Sequence, residues 1–317
     1  MDIFCSSIIP TVNRPTLSRA VRSVLDQHFE HAGFEVIVIN DSGQPLPDMD
    51  WQHSTQVRLL NTNRRERSVA RNTGAAIARG EYLHFLDDDD VFLPGALESF
   101  WDLAQLDSPP WLSGSYQTVD NCGVVIEVIH PQIEGNCLAL LTSGEGIPLQ
   151  ASLVKTEQFF RAGVFDTSVV GVEDRDLGRR LALLGNVTNT STIVANIRIG
   201  QLGSTTHWEK LAELDRCARD KVLSDQRAFE RLRDSANSCI WHGQLRRSYW
   251  HGRVCRAYLA SAVRNAFLNN GLAAAARTVS AFALAGLYIF SPDFWRGMVK
   301  GNNDKYLRVR AGPTHES

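Results

Sequence analysis

Residues 3–9 (Ile-Phe-Cys-Ser-Ser-Ile-Ile) and 34–39 (Phe-Glu-Val-Ile-Val-Ile) are two mainly apolar runs with one helical repeat between them, and this order constrains the fold most. The first run stops at Pro10 and the second at the turn cluster Asn40-Asp41-Ser42-Gly43, so each reads as a buried strand. Between them Pro15-Thr16 opens a segment with Leu17, Ala20, Val21, Val24 and Leu25 at helical spacing, and proline is tolerated in a first turn. The alternation continues with a weaker strand at 57–60, an alanine-rich helix at 68–78 closed by Gly80, a strand at 82–86, and a helix from Pro94-Gly95 to Leu106. Strand–helix alternation of this kind predicts an α/β fold: a Rossmann-like, mostly parallel central sheet with helices on both faces.

Beyond residue 110 the pattern changes. Strands are expected at 111–119, 124–129, 149–154 and 193–199, a glycine-containing loop at 134–146, and a helix at 174–184 capped by Gly185. From His207 onward the pattern is helical almost to the end. A soft boundary near residue 205 therefore separates a catalytic unit, 1–205, from a helical C-terminal region, 206–317.

Ligands of parallel α/β sheets bind outside the carboxyl ends of the strands. Here those ends carry Pro10-Thr11-Val12-Asn13-Arg14, Asn40-Asp41 and the run Asp87-Asp88-Asp89-Asp90, so three strand ends converge on one crevice. Four adjacent carboxylates raise one another's pKa unless a cation or a helix N-terminus neutralises them. Mg²⁺ binds one or two carboxylates and completes its shell with water and substrate phosphates. Asp87 and Asp89, two apart in extended or turn backbone, can face one side together. The plainer reading of such a run is a solvated turn or a helix cap.

Taken in order, the motifs resemble the family 2 glycosyltransferases, inverting enzymes of GT-A fold, over about residues 3–205. Ile8-Ile9-Pro10-Thr11 with Asn13-Arg14 and Leu25-Asp26-Gln27 is similar to the opening strand, loop and helix of that family. Residues 36–42 are similar to its second strand, and Ala70-Arg71-Asn72-Thr73-Gly74, Gly80-Glu81-Tyr82-Leu83 and Phe85-Leu86-Asp87-Asp88-Asp89-Asp90 to its most recognisable stretch. The resemblance implies that Asp87 and Asp89 end a D-x-D motif, with Asp89 the more direct ligand of Mn²⁺ or Mg²⁺. It implies a nucleotide-sugar site formed by Pro10, Thr11, Asn13, Arg14, Asp41, Arg71, Asp87 and Asp88, with Asp41 on the base. Phe165-Asp166 and then Gly171-Val172-Glu173-Asp174-Arg175-Asp176 resemble the acceptor-side motif, which makes Asp174 the catalytic base and places Glu173 beside it. Many relatives carry a histidine before a Gly/Ser pair after the next strand; Gln201 stands there in this chain, and His207 follows six residues later.

Simpler roles exist for several of these residues. Asp41 suits an Asx turn before Gly43, Arg71 a surface helix among Arg64, Arg65 and Arg67, and Asp174 a helix cap. The run Asp87-x-Asp89-x-Val91 also fits the opening motif of a haloacid dehalogenase phosphatase, although that motif normally ends a first strand. A sugar nucleotidyltransferase needs a glycine-rich phosphate loop after strand one, and residues 11–16 contain no glycine. A non-catalytic nucleotide-sugar-binding protein is the remaining alternative.

Composition bounds the rest. With 44% hydrophobic and 21% charged residues, the 317-residue chain is no disordered, collagenous or coiled-coil protein. Six cysteines without a C-x-x-C pair fit a reducing cytosol, and the first residues lack the pattern of a signal peptide. The net charge of −2 is unevenly spread: residues 235–292 hold six arginines and no acid, leaving −8 elsewhere. Arg246, Arg247, Arg253 and Arg256 alternate with Trp241, Tyr249, Trp250 and Tyr258, ahead of an apolar stretch at 272–290 interrupted by Arg277. A helix lying on an anionic membrane surface is the expectation, against an ordinary helical subdomain packed on the catalytic one. The partners then expected are a nucleotide-diphosphate sugar and a saccharide or lipid-linked saccharide acceptor at the cytoplasmic face, and no nucleic acid.

Overall fold

Side chains of a strand alternate between faces, and here the alternation builds two cores. The computed structural model describes residues 2–63, 66–131, 133–199, 208–238, 244–286 and 288–299. Strands β1 (Ile3–Thr11) and β2 (Gly33–Asn40) pair in parallel, joined by helix α1 (Leu17–Leu25). Ile8, Ile37 and Ile39 enter one buried cluster, while Ile9, Val36 and Val38 enter the other. Each such side chain taken from water contributes about 1.5–3 kcal/mol, which pins the register of both strands.

The chain continues through β3 (Val57–Asn61), α2 (Arg67–Ile77), β4 (Tyr82–Phe85), β5 (Val91–Phe92), α3 (Ala96–Asp107), β6 (Trp111–Val119) and β7 (Val125–Ile129). Then come α4 (Leu138–Thr142), β8 (Ser152–Lys155), α5 (Thr156–Arg161), α6 (Glu173–Leu184) and β9 (Val187–Arg198). The sheet order is β3-β2-β1-β4-β8-β6-β9-β5, with β7 on β6. Strands β3, β2, β1 and β4 are all parallel, as the alternation predicts. Beyond β4 the pairings are antiparallel except for β6 with β9.

Two local expectations need correction, and one short strand was not expected. The loop expected at 134–146 contains α4, whose five residues are all buried. The strand expected at 149–154 begins as a 3-10 turn, Leu149–Ala151, before β8. Finally, Val91 and Phe92, directly after the acidic run, pair with Asn196 and Ala195 as a two-residue strand too short to show periodicity.

Helices α7 (Trp208–Leu223), α8 (Gln226–Ser238), α9 (Gln244–Phe267), α10 (Gly271–Ala285) and α11 (Pro292–Val299) complete the described chain. They share the sheet's core: Val222, Leu232, Tyr249, Trp250, Val254, Tyr258 and Phe294 belong to the cluster of Ile8 and Phe85. Polar ties reinforce it, with fully buried Arg179 bonding Asp215 at 2.7 Å and Arg231 donating to the Ala182 and Gly185 carbonyls at 3.0 and 2.7 Å. Helices α9 and α11 touch backbone to backbone, since a Cβ on Gly252 would overlap the Phe294 carbonyl and one on Gly297 the Tyr249 carbonyl.

The expectation that the arginine- and aromatic-rich stretch lies on a membrane is overturned for α9. Tyr249, Trp250 and Tyr258 are core residues, and buried Arg253 pairs with Glu145 at 3.3 Å. Aromatics and a paired arginine fill a helix-packing interface here; Trp241 and the side chains of Arg246 and Arg247 lie outside the described residues.

Candidate active site

The carboxyl ends of β1, β2 and β4 do meet at one crevice, of about 220 Å³, lined by Pro10, Thr11, Val12, Arg14, Asp41, Arg67, Ala70, Asp87 and Asp88. After β4 the backbone turns, and the turn sends the four aspartates to different partners. Asp88 is buried; it accepts from the Thr11 hydroxyl at 2.5 Å and from the Arg14 guanidinium at 2.9 Å. Thr11 also accepts from the Asn13 amide at 2.9 Å, and Asn13 adopts φ 68, a left-handed conformation asparagine tolerates. Asp87 is held on both oxygens, by Arg71 at 2.7 Å and by the Gln150 side-chain amide at 2.9 Å. Asp90 accepts from the Arg198 backbone amide at 2.7 Å, and Asp89 from Arg14 at 3.1 Å.

Asp41, buried at the end of β2, accepts from the Thr62 hydroxyl at 2.8 Å and the Glu66 amide at 2.6 Å. The Asx turn expected of it belongs to Asn40, whose side chain accepts from the Ser42 amide at 3.1 Å. Glu66 caps α2 through the amides of Ser68 and Val69, so the same junction fixes Asp41 and the helix carrying Arg67 and Arg71. One turn apart on that helix, Arg67 lines the crevice while Arg71 is sealed beneath it.

Arg71 is buried, not the surface arginine of the plainer reading, and it is not among the residues that line the crevice. Its side chain is 1% exposed and binds Asp87 at 2.7 Å, Asp174 at 2.8 Å and Glu173 at 3.6 Å. The Phe165 ring lies 5.3 Å from the guanidinium carbon, a cation–π contact. Asn72 grips the Phe165 backbone on both sides, at 2.9 and 3.0 Å, and the preceding Val164 sits at φ 53, rare for a β-branched residue. Asp174, second residue of α6, caps nothing: the helix starts after Val172 without a side-chain cap. Glu173 accepts from the Gly171 amide at 2.6 Å and forms an ion pair with Arg67 at 3.3 Å.

Gln150 was not foreseen, because no motif surrounds it. The Nε2 of buried His84 donates to its carbonyl at 3.1 Å, and His84 Nδ1 accepts from the Ser7 hydroxyl at 3.0 Å. A chain of contacts thus runs from β1 through β4 to the 3-10 turn and on to Asp87. Burial keeps His84 neutral, its pKa lowered to about 4 despite the Gln150 carbonyl.

The electrostatics separate these carboxyls. Burial would raise Asp87, but the charge and hydrogen bond of Arg71, with the charge of Arg67 and the Gln150 amide, together outweigh it and hold Asp87 below the usual range. Asp88 is raised, chiefly by burial. Asp90 is pushed up to about 8 by burial and by the charge of Asp87, against the Arg198 amide. Asp174 is raised, mainly by burial, with Arg71 opposing and Glu173 and Asp87 adding to it.

Carboxylate oxygens of Asp87, Asp89 and Asp90 lie within 4.8 Å of one another. That all-oxygen set, with one member held well above its ordinary pKa, fits a hard divalent cation. Asp90 joins the expected pair Asp87 and Asp89. Gln201 and His207 lie outside the described residues.

An α/β sheet with helices around it, an acidic turn after β4 and a C-terminal helical part define a GT-A type of protein. Residues 6–122 match the family model described as Glycosyl transferase family 2. It is 32% identical over 117 residues to the poly(ribitol-phosphate) beta-N-acetylglucosaminyltransferase TarP of Staphylococcus aureus, covering 35% of this chain and 36% of that protein. It is 27% identical over 135 residues to an Escherichia coli protein, the UDP-Glc:alpha-D-GlcNAc-diphosphoundecaprenol beta-1,3-glucosyltransferase WfgD, covering 41% and 53%. The chain thus spans about half the length of the curated relatives it matches. A crystal structure of S. aureus TarS 1-349 in complex with UDP-GlcNAc superposes with TM-score 0.58 at 14% identity, covering 89% of this chain and 92% of that one.

Proposed function

We propose that the chain is an inverting glycosyltransferase that moves a sugar from a nucleoside-diphosphate sugar to a hydroxyl of a saccharide or lipid-linked saccharide in envelope polysaccharide or glycolipid synthesis. The observation that carries this reading is Arg71, whose guanidinium joins Asp87 of the acidic turn to Asp174 of α6. One buried cation thereby sets the distance between a group that handles diphosphate charge and a group that can take a proton.

In the reaction, an acceptor hydroxyl oxygen forms a bond to the anomeric carbon as the bond to the diphosphate oxygen breaks. The bonding electron pair leaves with the diphosphate, and the hydroxyl proton passes to Asp174. A raised pKa suits Asp174 to this work, and attack from the face opposite the leaving group inverts the anomeric centre. Arg14 and Arg67, exposed at the crevice, would meet the phosphates, while Thr11 and Asp88 shape its floor beside Pro10 and Asn13, and Asp41 would contact the base. Asp87, Asp89 and Asp90 would hold Mn²⁺ or Mg²⁺, whose chemistry is to offset charge developing on the diphosphate. The chemistry is assigned to residues 1–205, with 206–317 as a helical region.

The relatives support the substrate classes: WfgD is named for a diphosphoundecaprenol acceptor, and TarS was crystallised with UDP-GlcNAc. A lipid-linked acceptor would put the protein at the inner face of the cytoplasmic membrane. The phosphatase reading is less well served, since the acidic run follows the fourth strand, β4, and not the first. Screening nucleotide sugars for metal-dependent donor hydrolysis tests the proposal. Hydrolysis that falls in Asp174→Ala supports it; phosphatase activity that survives Asp174→Ala but not Asp87→Asn would overturn it.

A further inference from the structure

Arg14 holds the acidic turn from the solvent side. One of its nitrogens, Nη1, serves two carboxylates, Asp88 at 2.9 Å and Asp89 at 3.1 Å. Among the described residues its other two guanidinium nitrogens bond nothing. The two acceptors are unequal. Asp88 is buried, takes its second bond from Thr11, and is not one of the three carboxylates whose oxygens lie within 4.8 Å of one another. Asp89 is one of those three, and its side chain is 31% exposed. The Asp89 backbone does not depend on Arg14, because its carbonyl accepts from Arg19 at 3.1 Å and from Arg198 at 3.4 Å. Arg14 itself is half-exposed and lines the crevice beside Arg67.

We propose that Arg14 is an exchangeable counter-ion: it occupies the Asp89 carboxylate in the nucleotide-free protein, gives it up on metal binding, and turns to the diphosphate of the nucleotide. The Asp89 carboxylate cannot give its full charge both to Arg14 and to a divalent cation. An exposed ion pair is weak and therefore the one to yield. Asp88, fixed by Thr11, is a pivot that Arg14 can keep while it releases Asp89. Phosphate oxygens accept a guanidinium fork as a carboxylate does, and the unused nitrogens of Arg14 suit them. Arg71 is excluded from this role, being sealed between Asp87 and Asp174, and Arg67 pairs with Glu173 instead of the acidic turn. Metal and nucleotide thereby become coupled, since each favours the arrangement that the other needs. The exchange rests on the nucleotide-sugar reading of the crevice, but metal binding without nucleotide tests it apart from that reading.

The experiment is calorimetry of the full chain and of Arg14→Gln, first with Mn²⁺ alone and then, at saturating Mn²⁺, with whichever of UDP, GDP and dTDP the parent binds best. Arg14→Gln should bind Mn²⁺ alone about three- to fivefold more tightly, because a competing cation is gone. The same variant should bind the nucleotide about tenfold more weakly, because a charged donor is gone. Opposite signs in one variant, at an unchanged melting temperature, are the signature of exchange. Arg67→Gln removes an equal charge from the same crevice and should leave Mn²⁺ affinity closer to that of the parent. Mn²⁺ affinity that fails to rise in Arg14→Gln, including binding undetectable in both chains, would overturn the exchange. Equal tightening in Arg67→Gln would do the same, by assigning the effect to the general field of the crevice. A parent that binds Mn²⁺ but ignores all three nucleotides would overturn the reading of the crevice on which the exchange rests.

Discussion

The chain has two acidic stretches, 87–90 and 173–176, and they meet opposite fates. At the end of β4 the backbone turn leaves three carboxylates within 4.8 Å, and burial with mutual repulsion raises Asp90 to about 8. At the start of α6 the helix disperses its acids: Glu173 binds the Gly171 amide, Asp174 binds Arg71, and Asp176 binds Arg180. In the first stretch Asp87, Asp88 and Asp89 are bonded by Arg71 and Arg14, while Asp90 is bonded to a backbone amide and stays raised; the second is satisfied residue by residue. An all-oxygen cluster with one raised member suits a cation, and a single raised carboxyl suits a base. Arg71 is the tie between them.

That contrast can be broken at several points, taken from the largest effect down. Asp174→Asn should lower transfer by about 10²–10⁴-fold, the usual range for a general base, while leaving metal-dependent nucleotide binding intact. Loss of nucleotide binding in this variant would mean the two stretches are one site. Arg71→Met leaves three carboxylates around a vacated buried position and should cost about 3–5 kcal/mol in urea unfolding. An unchanged midpoint would remove Arg71 as the tie. Gln150→Ala frees one oxygen of Asp87 and should weaken Mn²⁺-dependent UDP binding about tenfold, as loss of an outer partner of a metal ligand does. A thermal midpoint near that of the parent would separate this effect from unfolding.

The smallest effect is one of pH. His84 is neutral in the folded protein with a pKa near 4, against about 6.5 unfolded. Between those values the unfolded chain binds a proton that the folded chain refuses, so stability falls as pH drops through this window. The parent should lose up to about 1.4 kcal/mol per pH unit relative to His84→Gln, which keeps a donor for the Gln150 carbonyl. Parallel stability curves would contradict the neutral His84.

Features written in short stretches of sequence were legible. The parity of Ile8 against Ile9 and of Ile37 against Val38 predicts a strand buried on both faces, and two separate cores result. The acidic turn and Asp174 stand in local motifs, and Arg71 ties Asp87 to Asp174. What depends on distant partners was not legible: Arg71 meets Asp174 across 103 positions, and Gln150 sits in a 3-10 turn that no motif marks. The C-terminal helices show the same limit. Arginines and aromatics on α9 looked interfacial, yet α9 is packed and α10 is bare, because composition does not say which face finds a neighbour.

Calorimetry of the full chain with UDP, GDP and dTDP, with and without Mn²⁺, tests the central claim most directly. Binding of at least one of these nucleotides that requires the metal, and that Asp89→Asn abolishes, is the predicted result. Indifference to all three nucleotides in the presence of metal, or equal binding without it, would contradict the account of the acidic turn and leave Asp174 without a reaction to serve.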